Sequence, residues 1–350
     1  MNPYFQNILA LSDADRRDLF LTTSSRLGTT IQNVEKDFWV SWTLDALFHR
    51  LKPGGPRLLF KGGTSLSKGY GLISRFSEDI DVTVFREDIG VPATVEELGK
   101  LGRRPRQAKL DAIREACRNY INGDLRAELE TIGKAAMQAA GKSPQGFQVS
   151  PDPDNDDGQN LLIHYASVVD ADPYIAPSVK IESGAKSALD PHEKKNIAPY
   201  IADDIPEPSS LMVPDILTID PERTFLDKIL ILHGMTHYFT AKGVLRGHGR
   251  MSRHYYDIHQ MMTAPGGPKA CGDDALIEDC VRHAKMFFYR ANTGLDVAGR
   301  GTFQLRPSSD MLKLLEQDYT AMATMIFGNK PTFRDVITAV GTAEDILNGA

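Results

Sequence analysis

Two aspartates separated by one residue, Asp79 and Asp81, are the side chains of this sequence best suited to chemistry. They lie in the run DIDVTVF, whose period-two alternation predicts a β-strand. Successive strand side chains point to opposite faces, so both carboxylates share one face, with their α-carbons roughly 6.6 Å apart. Such oxygens suit Mg²⁺, or Mn²⁺, and Mg²⁺ also binds nucleotide phosphates. The pair predicts a metal site, although two solvent-facing acids on an edge strand would show the same pattern.

A glycine turn precedes this strand. A short strand from Leu58 to Phe60 leads into KGGTSLSKGYG, which predicts a tight turn and a helix that starts near Thr64. Glycines let the backbone approach a phosphate closely, and a helix amino terminus directs N–H groups toward it. Hydroxyls and nearby cations would complete such a site. The candidate nucleotide-binding residues are Gly62, Gly63, Thr64, Ser65, Lys68 and Arg75.

The remaining elements must hold this strand, turn, helix and strand in place. Helices are predicted after Ser12 and from Thr30 to about Leu51, and further strands at 161–169 and 178–182. The carboxy-terminal part is almost wholly helical, with candidates at 221–239, 252–263, 273–290, 307–327 and 331–348. We predict an α+β fold with a mixed sheet, a first domain at 1–210 with a helical insertion at about 86–142, and a helical domain at 211–350.

The composition restricts the class of protein. The 350 residues are 41% hydrophobic and 25% charged, which is typical of a globular chain with room for two cores. The formal net charge of -6 argues against non-specific coating of DNA, so a nucleic acid would be held by a local basic patch. The amino-terminal sequence lacks the features of a secretion signal and no long apolar run occurs, so we expect a cytoplasmic protein without membrane association.

Two further features have both a functional and a plain structural interpretation. The run VKIE places Lys180 and Glu182 on one strand face, where Glu182 is a candidate third metal ligand, but many strands alternate in this way. Basic residues form two groups. The second, on the glycine-bearing segment KGVLRGHGR, is a candidate to hold an RNA backbone near the active site, and a solvated loop is the alternative for either group. These groups are Arg103, Arg104, Arg106 and Lys109, and Lys242, Arg246, Arg250 and Arg253.

The glycine turn together with the aspartate pair resembles the signature of the AbiEii/AbiGii nucleotidyltransferase toxins, within the DNA polymerase β-like superfamily. The matching residues run from Lys61 to Gly71 and from Arg75 to Asp81. Four other segments resemble family motifs in the family's order, so that nearly the whole chain is covered. They are VEKDFW from Val34, RTFLDK from Arg223, RHYYD from Arg253 and MIFGNKP from Met325.

The resemblance implies roles for individual residues. Lys228 and Asp257 match a lysine and an aspartate required in related toxins, where Lys228 would support the charge of the triphosphate and Asp257 would orient or deprotonate the acceptor. Without the resemblance, the sequence indicates that Lys228 is a solvated lysine and that Asp257 forms an i, i+4 ion pair with Arg253. The expected catalytic residues are therefore Asp79, Asp81, Lys228 and Asp257.

The resemblance also implies a function. It predicts a toxin of a bacterial toxin–antitoxin or phage-abortive system that transfers a nucleoside monophosphate from a triphosphate, GTP or a pyrimidine triphosphate (CTP or UTP), to the 3′ end of tRNA. A separately encoded antitoxin, often a winged-helix regulator, would neutralise it. Three alternatives remain open. They are transfer to a protein side chain, transfer to a small molecule as in antibiotic modification, and nucleotide binding without catalysis.

Overall fold

The computed structural model describes residues 3–170, 176–245 and 249–349. The chain forms two compact units that interleave in sequence. The first comprises Met1–Tyr70, Phe76–Ala93 and Arg103–Ile219, and the second comprises Gly71–Arg75, Thr94–Gly102 and Asp220–Ala350. None of the helices in the described ranges combines the length and hydropathy that a bilayer crossing requires.

The first unit is built on a mixed sheet of seven strands among the described residues, in the order β3-β4-β5-β2-β1-β7-β6. The strands are β1 (Leu58–Lys61), β2 (Asp79–Val84), β3 (Phe147–Pro151), β4 (Asn160–Tyr165), β5 (Ser178–Gly184), β6 (His192–Ile197) and β7 (Val213–Ile219). β2 lies at the centre, antiparallel to β1 and parallel to β5. The fold class predicted from the sequence, an α+β fold with a mixed sheet and carboxy-terminal helices, is confirmed.

Helices of the first unit cover one face of this sheet. They are α1 (Pro3–Ala10), α2 (Asp13–Leu27), α3 (Ile31–His49), α4 (Gly62–Lys68), α6 (Arg103–Tyr120) and α7 (Arg126–Ala139), the last two joined by a π-helical turn at Ile121–Leu125. Thr30 caps α3, whose side chains are almost all buried. Trp39 of α3 stacks on Tyr165 of β4, with ring centroids 4.9 Å apart. Burial of large aromatic rings is a major stabilising contribution and fixes this face as the core.

The second unit is helical. It contains α5 (Val95–Lys100), α8 (Pro221–Lys242), α9 (Ser252–Thr263), α10 (Asp274–Phe287), α11 (Ser309–Met322) and α12 (Phe333–Asn348). The five predicted carboxy-terminal helices are confirmed within a few residues at each end. The start of α8 follows from local chemistry, because Asp220 caps it, Pro221 occupies its first position and Gly243 ends it with a φ of 70°.

The borders of the two units differ from the predicted domain ranges. The first unit extends to Ile219 rather than 210, because β7 pairs with β1 and β6 and so belongs to the sheet. Residues 71–75 and 94–102 belong to the helical unit, since Phe327 N donates to Ser74 O at 2.8 Å and α5 packs on α10. That the units are separate folding domains stays a prediction.

Candidate functional site

The two aspartates lie on the face of the sheet opposite the aromatic core. Asp79 and Asp81 are half-buried, whereas the intervening Ile80 and the following Val82 are fully buried. Strand register places Lys180 beside Asp79 and Glu182 beside Asp81. The predicted alternation is therefore present, with the two carboxyl side chains on a single solvent-accessible face.

Two lysines partly neutralise the acids of this face. Lys61 Nζ lies 3.6 Å from Asp81 Oδ1, and Lys180 Nζ lies 3.0 Å from Asp152 Oδ2 and 3.4 Å from Glu182 Oε1. Partial burial lowers the pKa of Lys180, but the neighbouring carboxylates outweigh this effect and raise it above the ordinary value of a lysine. Four carboxylates face two ammonium groups, which leaves an excess of negative charge suited to a divalent cation.

The donor set fits a magnesium ion that is shared with a nucleotide. Within the described residues, no three His, Cys, Asp or Glu side chains form a group that could hold a metal ion. Glu182 is paired with Lys180, so the structure does not assemble it with Asp79 and Asp81 as a third ligand. Mg²⁺ is commonly bound by one or two carboxylates, with substrate phosphates and waters completing its coordination. Asp79 and Asp81 satisfy that requirement by themselves.

Gly62 lets the glycine turn contact the carboxylate of Asp81. Its φ of +78° is a conformation that side chains with a Cβ rarely adopt, and a Cβ built there would lie 2.6 Å from Asp81 Cγ and overlap the carboxylate oxygen. Lys61, just before it, forms a strand pair with Asp81. The glycine turn and the carboxylate of Asp81 are therefore in direct contact.

A Gly62→Ala variant is expected to lose about 10²-fold in activity, because a displacement of about 1 Å at a catalytic group costs that much. Gly90→Ala is the matched control, since Gly90 has a φ of +76° but no atom within 4 Å of a built Cβ. Both variants carry the backbone strain, and only Gly62→Ala displaces Asp81. Equal activities of the two variants would contradict this account.

Thr64 and Ser65 differ from the predicted phosphate donors. Both are fully buried. The Thr64 hydroxyl donates to Asp79 O and lies 2.8 Å from Ser77 Oγ, and the Ser65 hydroxyl donates to Gly62 O at 2.9 Å. These hydroxyls tie the start of α4 to β2 and to the glycine turn, so they position the site rather than contact a ligand.

Lys68 is also placed differently from its predicted role at a triphosphate. It is 3% exposed at its side chain and forms an ion pair with Asp37 of α3, while its ammonium lies 4.3 Å from the ring centre of Tyr200. Burial raises the pKa of Asp37, and the contact with Lys68 opposes this. Removal of one partner of such a pair leaves an uncompensated buried charge. Lys68 therefore anchors α4 to α3.

The second unit contains a buried cluster of one acid and two cations. Arg75 donates to both oxygens of Asp257, with Nε–Oδ1 2.7 Å and Nη2–Oδ2 2.9 Å, and Lys228 Nζ lies 2.8 Å from Asp257 Oδ2. Asp257 is fully buried, and the two cations are nearly so. Three residues that the sequence analysis assigned to the site are thus in direct contact, in an arrangement that the sequence did not predict.

The carboxy-terminal motif holds Arg75 in this cluster. Arg75 forms an isolated antiparallel bridge with Ile326, next to the hydrogen bond from Phe327 N to Ser74 O. Ile326 is buried. The bridge at Ile326 and the hydrogen bond of Phe327 therefore fix the backbone from which Arg75 extends.

The environment of Asp257 argues against its predicted use as a proton acceptor. Burial alone would raise its pKa, but Arg75 and Lys228 outweigh burial and hold the pKa well below the usual range of an aspartate. A base works best when its pKa lies near the working pH. Asp257 is accordingly a positioning residue for two cations, and its predicted pairing with Arg253 is replaced by these contacts.

The basic groups of the sequence have different surroundings. Arg103 and Arg104 are exposed at the start of α6, and Arg106 and Lys109 are half-buried. In the second group Arg246 lies outside the described residues, and Arg250 has its backbone N–H bound to Asp318. Lys242 and Arg250 of the second group are exposed as well, so exposure does not separate the two groups as candidates for an RNA backbone.

Two ion pairs of α3 support the candidate site, and neither was predicted from the sequence. Lys36 of α3 pairs with Glu78 at 2.6 Å, immediately before Asp79, and Asp37 pairs with Lys68. A signal was present, since Glu35, Lys36 and Asp37 are three consecutive charged residues in a helix whose side chains are almost all buried. Charged residues are almost never fully buried unless they are paired, so this run indicates buried ion pairs.

Comparison with known protein families decides the assignment. The model of the family described as "Nucleotidyl transferase AbiEii toxin, Type IV TA system" matches residues 45–339. The chain belongs to the AbiEii family. It is therefore a nucleotidyltransferase toxin of a type IV toxin–antitoxin system, which implies a nucleoside triphosphate substrate and a cognate antitoxin. Nucleotidyltransferases generally use a divalent metal ion, for which Asp79 and Asp81 are the candidate ligands.

Other comparisons concern single proteins. No curated protein matches the sequence of this AbiEii-family chain. Among solved structures, the chain is similar to MenT4, a nucleotidyltransferase toxin from Mycobacterium tuberculosis, with 15% identity and a TM-score of 0.48. That alignment covers 95% of this chain and 90% of the MenT4 chain.

Proposed function

We propose that this toxin transfers a nucleoside monophosphate from a triphosphate to the 3′ end of an RNA, with tRNA as the first candidate. The observation that supports the site most directly is the contact between the Asp81 carboxylate and Gly62, with Asp79 on the same face of β2. This arrangement brings two carboxylates to a backbone turn that has no side chain in the way. Those are the parts that phosphoryl transfer needs, since it depends mainly on positioning and charge stabilisation.

The proposed reaction is a displacement at the α-phosphorus. The 3′ hydroxyl oxygen attacks and forms a new P–O bond, the bond to the β-phosphate breaks, pyrophosphate leaves with the electron pair, and the hydroxyl proton is released. Asp79 and Asp81 would bind Mg²⁺, or Mn²⁺ in its place. When bound, the metal lowers the pKa of the attacking hydroxyl and stabilises charge on the leaving group.

The chain's own residues supply orientation and positive charge. Gly62 and Gly63 form the turn against which phosphates pack, and Thr64 and Ser65 hold that turn in shape. Arg75 and Lys228 supply the positive charge of the buried cluster in the helical unit, where Asp257 holds both cations in place. We propose that Asp257 serves as this positioning residue and not as a general base.

An RNA acceptor is favoured over a small molecule by the exposed cations of the two basic groups, Arg103 and Arg104 in the first and Lys242 and Arg250 in the second. A chain with a net charge of -6 binds nucleic acid only through such a local group. Modification of a tRNA 3′ end would block aminoacylation and so translation, which accounts for toxicity in the cytoplasm. We also propose that a winged-helix antitoxin neutralises the toxin. The proposed nucleotide donor is GTP or a pyrimidine triphosphate (CTP or UTP).

The test is to incubate the purified chain with total tRNA and each α-labelled triphosphate in turn, in Mg²⁺ and separately in Mn²⁺. Label is expected on RNA, at the 3′ terminus, for one triphosphate in preference to the others. Asp79→Asn serves as the inactive control. Label on the protein, or on small molecules of a cell extract and not on RNA, would overturn the RNA assignment.

A further inference from the structure

The sheet face that carries Asp79 continues across three more strands, where most of its side chains are polar. Register places Lys180 of β5 beside Asp79, then Leu162 of β4, then Ser150 of β3. A second row contains Ser178, His164 and Gln148. We call these six residues the acceptor face: Gln148, Ser150, Leu162, His164, Ser178 and Lys180.

The acceptor face is accessible, and the other face of the same strands is not. Val149, Ile163 and Val179 alternate with the acceptor-face residues and are at most 2% exposed. Gln148 is exposed, and the other five are half-buried. The hydrogen bond between Ser150 Oγ and His164 Nε2, at 3.0 Å, fixes the imidazole on the surface.

The chemistry of this face matches a single-stranded nucleic acid. An accessible sheet face with an aromatic ring is a platform on which bases stack, and histidine is among the rings that serve in this way. Leu162 adds an apolar surface next to His164, while the hydroxyls of Ser150 and Ser178 provide donors for phosphate and sugar oxygens. Lys180 is already paired with Asp152 and Glu182. None of the six residues is acidic, although the adjoining metal-binding end is rich in acids.

The direction from which the acceptor hydroxyl attacks the α-phosphorus indicates which substrate lies on the acceptor face. The glycine turn follows β1, on one side of Asp79 and Asp81, and the acceptor face begins at β5, on the other side. In phosphoryl transfer the attacking and leaving oxygens are roughly in line across the phosphorus. If the triphosphate packs on the turn, the attacking hydroxyl comes from the side of β5.

We infer that the acceptor face binds the single-stranded 3′ end of the acceptor RNA, with its bases on His164 and Leu162. The inference rests on the proposed function and goes beyond it by naming the surface that selects an unpaired RNA end. An unpaired end is preferred, because each of its bases can unstack to reach the imidazole, whereas a paired end offers only the outer face of its terminal pair.

The experiment measures binding of two RNA hairpins to the full chain carrying Asp79→Asn, which prevents turnover. One hairpin has a four-nucleotide 3′ overhang and the other is blunt. His164→Ala is expected to weaken binding of the overhang hairpin about tenfold, as expected for the loss of one stacked base, and to leave the blunt hairpin unchanged. In the otherwise unmodified chain, His164→Ala should raise KM for the RNA and leave KM for the triphosphate unchanged.

Three variants make the result specific. His164→Phe keeps a ring and loses the bond to Ser150, so it should restore overhang binding if stacking is the role. Ser150→Ala tests the hydrogen bond alone and should have the smaller effect. His192→Ala changes a histidine of β6, at the opposite edge of the sheet, and should change nothing.

Failure of this inference is distinguishable from failure of the proposed function. If the unmodified chain labels RNA but His164→Ala binds the overhang hairpin as His192→Ala does, the acceptor face is wrong and the function stands. If His164→Ala weakens binding and His164→Phe does not restore it, stacking is overturned. If the unmodified chain labels no RNA, the proposed function fails and this inference with it.

Discussion

An Asp81→Asn variant is expected to lose at least about 10³-fold in nucleotide transfer while it keeps its fold. The amide removes an anionic metal ligand, and loss of a single group that stabilises transition-state charge already costs on the order of 10²–10³ in rate. Asp79→Asn should behave in the same way. Both side chains are half-buried on a face with excess negative charge, so unfolding temperatures should stay unchanged or rise slightly.

The controls for this prediction use the same change of carboxylate to amide. Asp156→Asn, in the exposed turn before β4, should retain full activity. Glu182→Gln should lose at most about tenfold, because Glu182 is paired with Lys180 and acts on the metal-binding end indirectly. Transfer rates are measured with saturating triphosphate in Mg²⁺. Full activity of Asp81→Asn would refute the metal site, and a Glu182→Gln loss equal to that of Asp81→Asn would restore Glu182 as a third ligand.

Elements with a regular pattern of buried residues were predictable from the sequence. β2 was found because Ile80, Val82 and Val84 alternate with polar residues, and the helices of the second unit were found because their apolar residues recur at helical spacing. The turn at Gly62 was found from its residue types, since close approach of the backbone requires glycine.

Elements without such a pattern were missed. β6 is an edge strand whose residues HEKKNI are mostly exposed, so it has no apolar alternation. β7 contains Pro214 and also Asp215, which has a φ of 54°, and both are typical of turns. Its place in the sheet depends on pairing with β1 and β6, which are distant in sequence, and this moved the border of the first unit to Ile219.

Residue types at the site were predictable, but the partners of the cations were not. Lys68 and Arg75 lie between the turn and the aspartates in sequence, which suggested a shared ligand. Their partners are Asp37, 31 positions away, and Asp257, 182 positions away. Periodicity within an element contains no information on such pairs, because they depend on how elements pack. The sequence motif therefore indicated candidate site residues but not the contacts of each side chain.

The buried cluster around Asp257 gives the largest expected effect on stability. An Asp257→Asn variant should unfold with a free energy lower by about 3–5 kcal/mol, because it leaves two buried cations without their shared anion. Stabilities of whole domains are about 5–15 kcal/mol, so the helical unit of this variant should be only marginally folded. The measurement is urea unfolding followed by circular dichroism.

Matched variants separate the cluster from ordinary surface ion pairs. Asp310→Asn removes the exposed partner of Lys313 in the same unit and should not change stability. Lys228→Met should cost less than Asp257→Asn, since Arg75 still donates to both oxygens of the aspartate. Equal stabilities of the Asp257→Asn and Asp310→Asn variants would show that the cluster contributes nothing.

The pH dependence of the stability lost in the Asp257→Asn variant distinguishes a permanently ionised Asp257 from a proton acceptor. Because the pKa of Asp257 is lower in the folded than in the unfolded chain, its stabilisation is fully present above the unfolded value of about 4. It is lost only as the pH falls through the lower folded value. The stability difference between the unmodified chain and Asp257→Asn should therefore be constant from about pH 5 to pH 8 and shrink only in strong acid. A difference that changes across neutral pH would mean that Asp257 exchanges a proton there, and its role as a base would have to be reinstated.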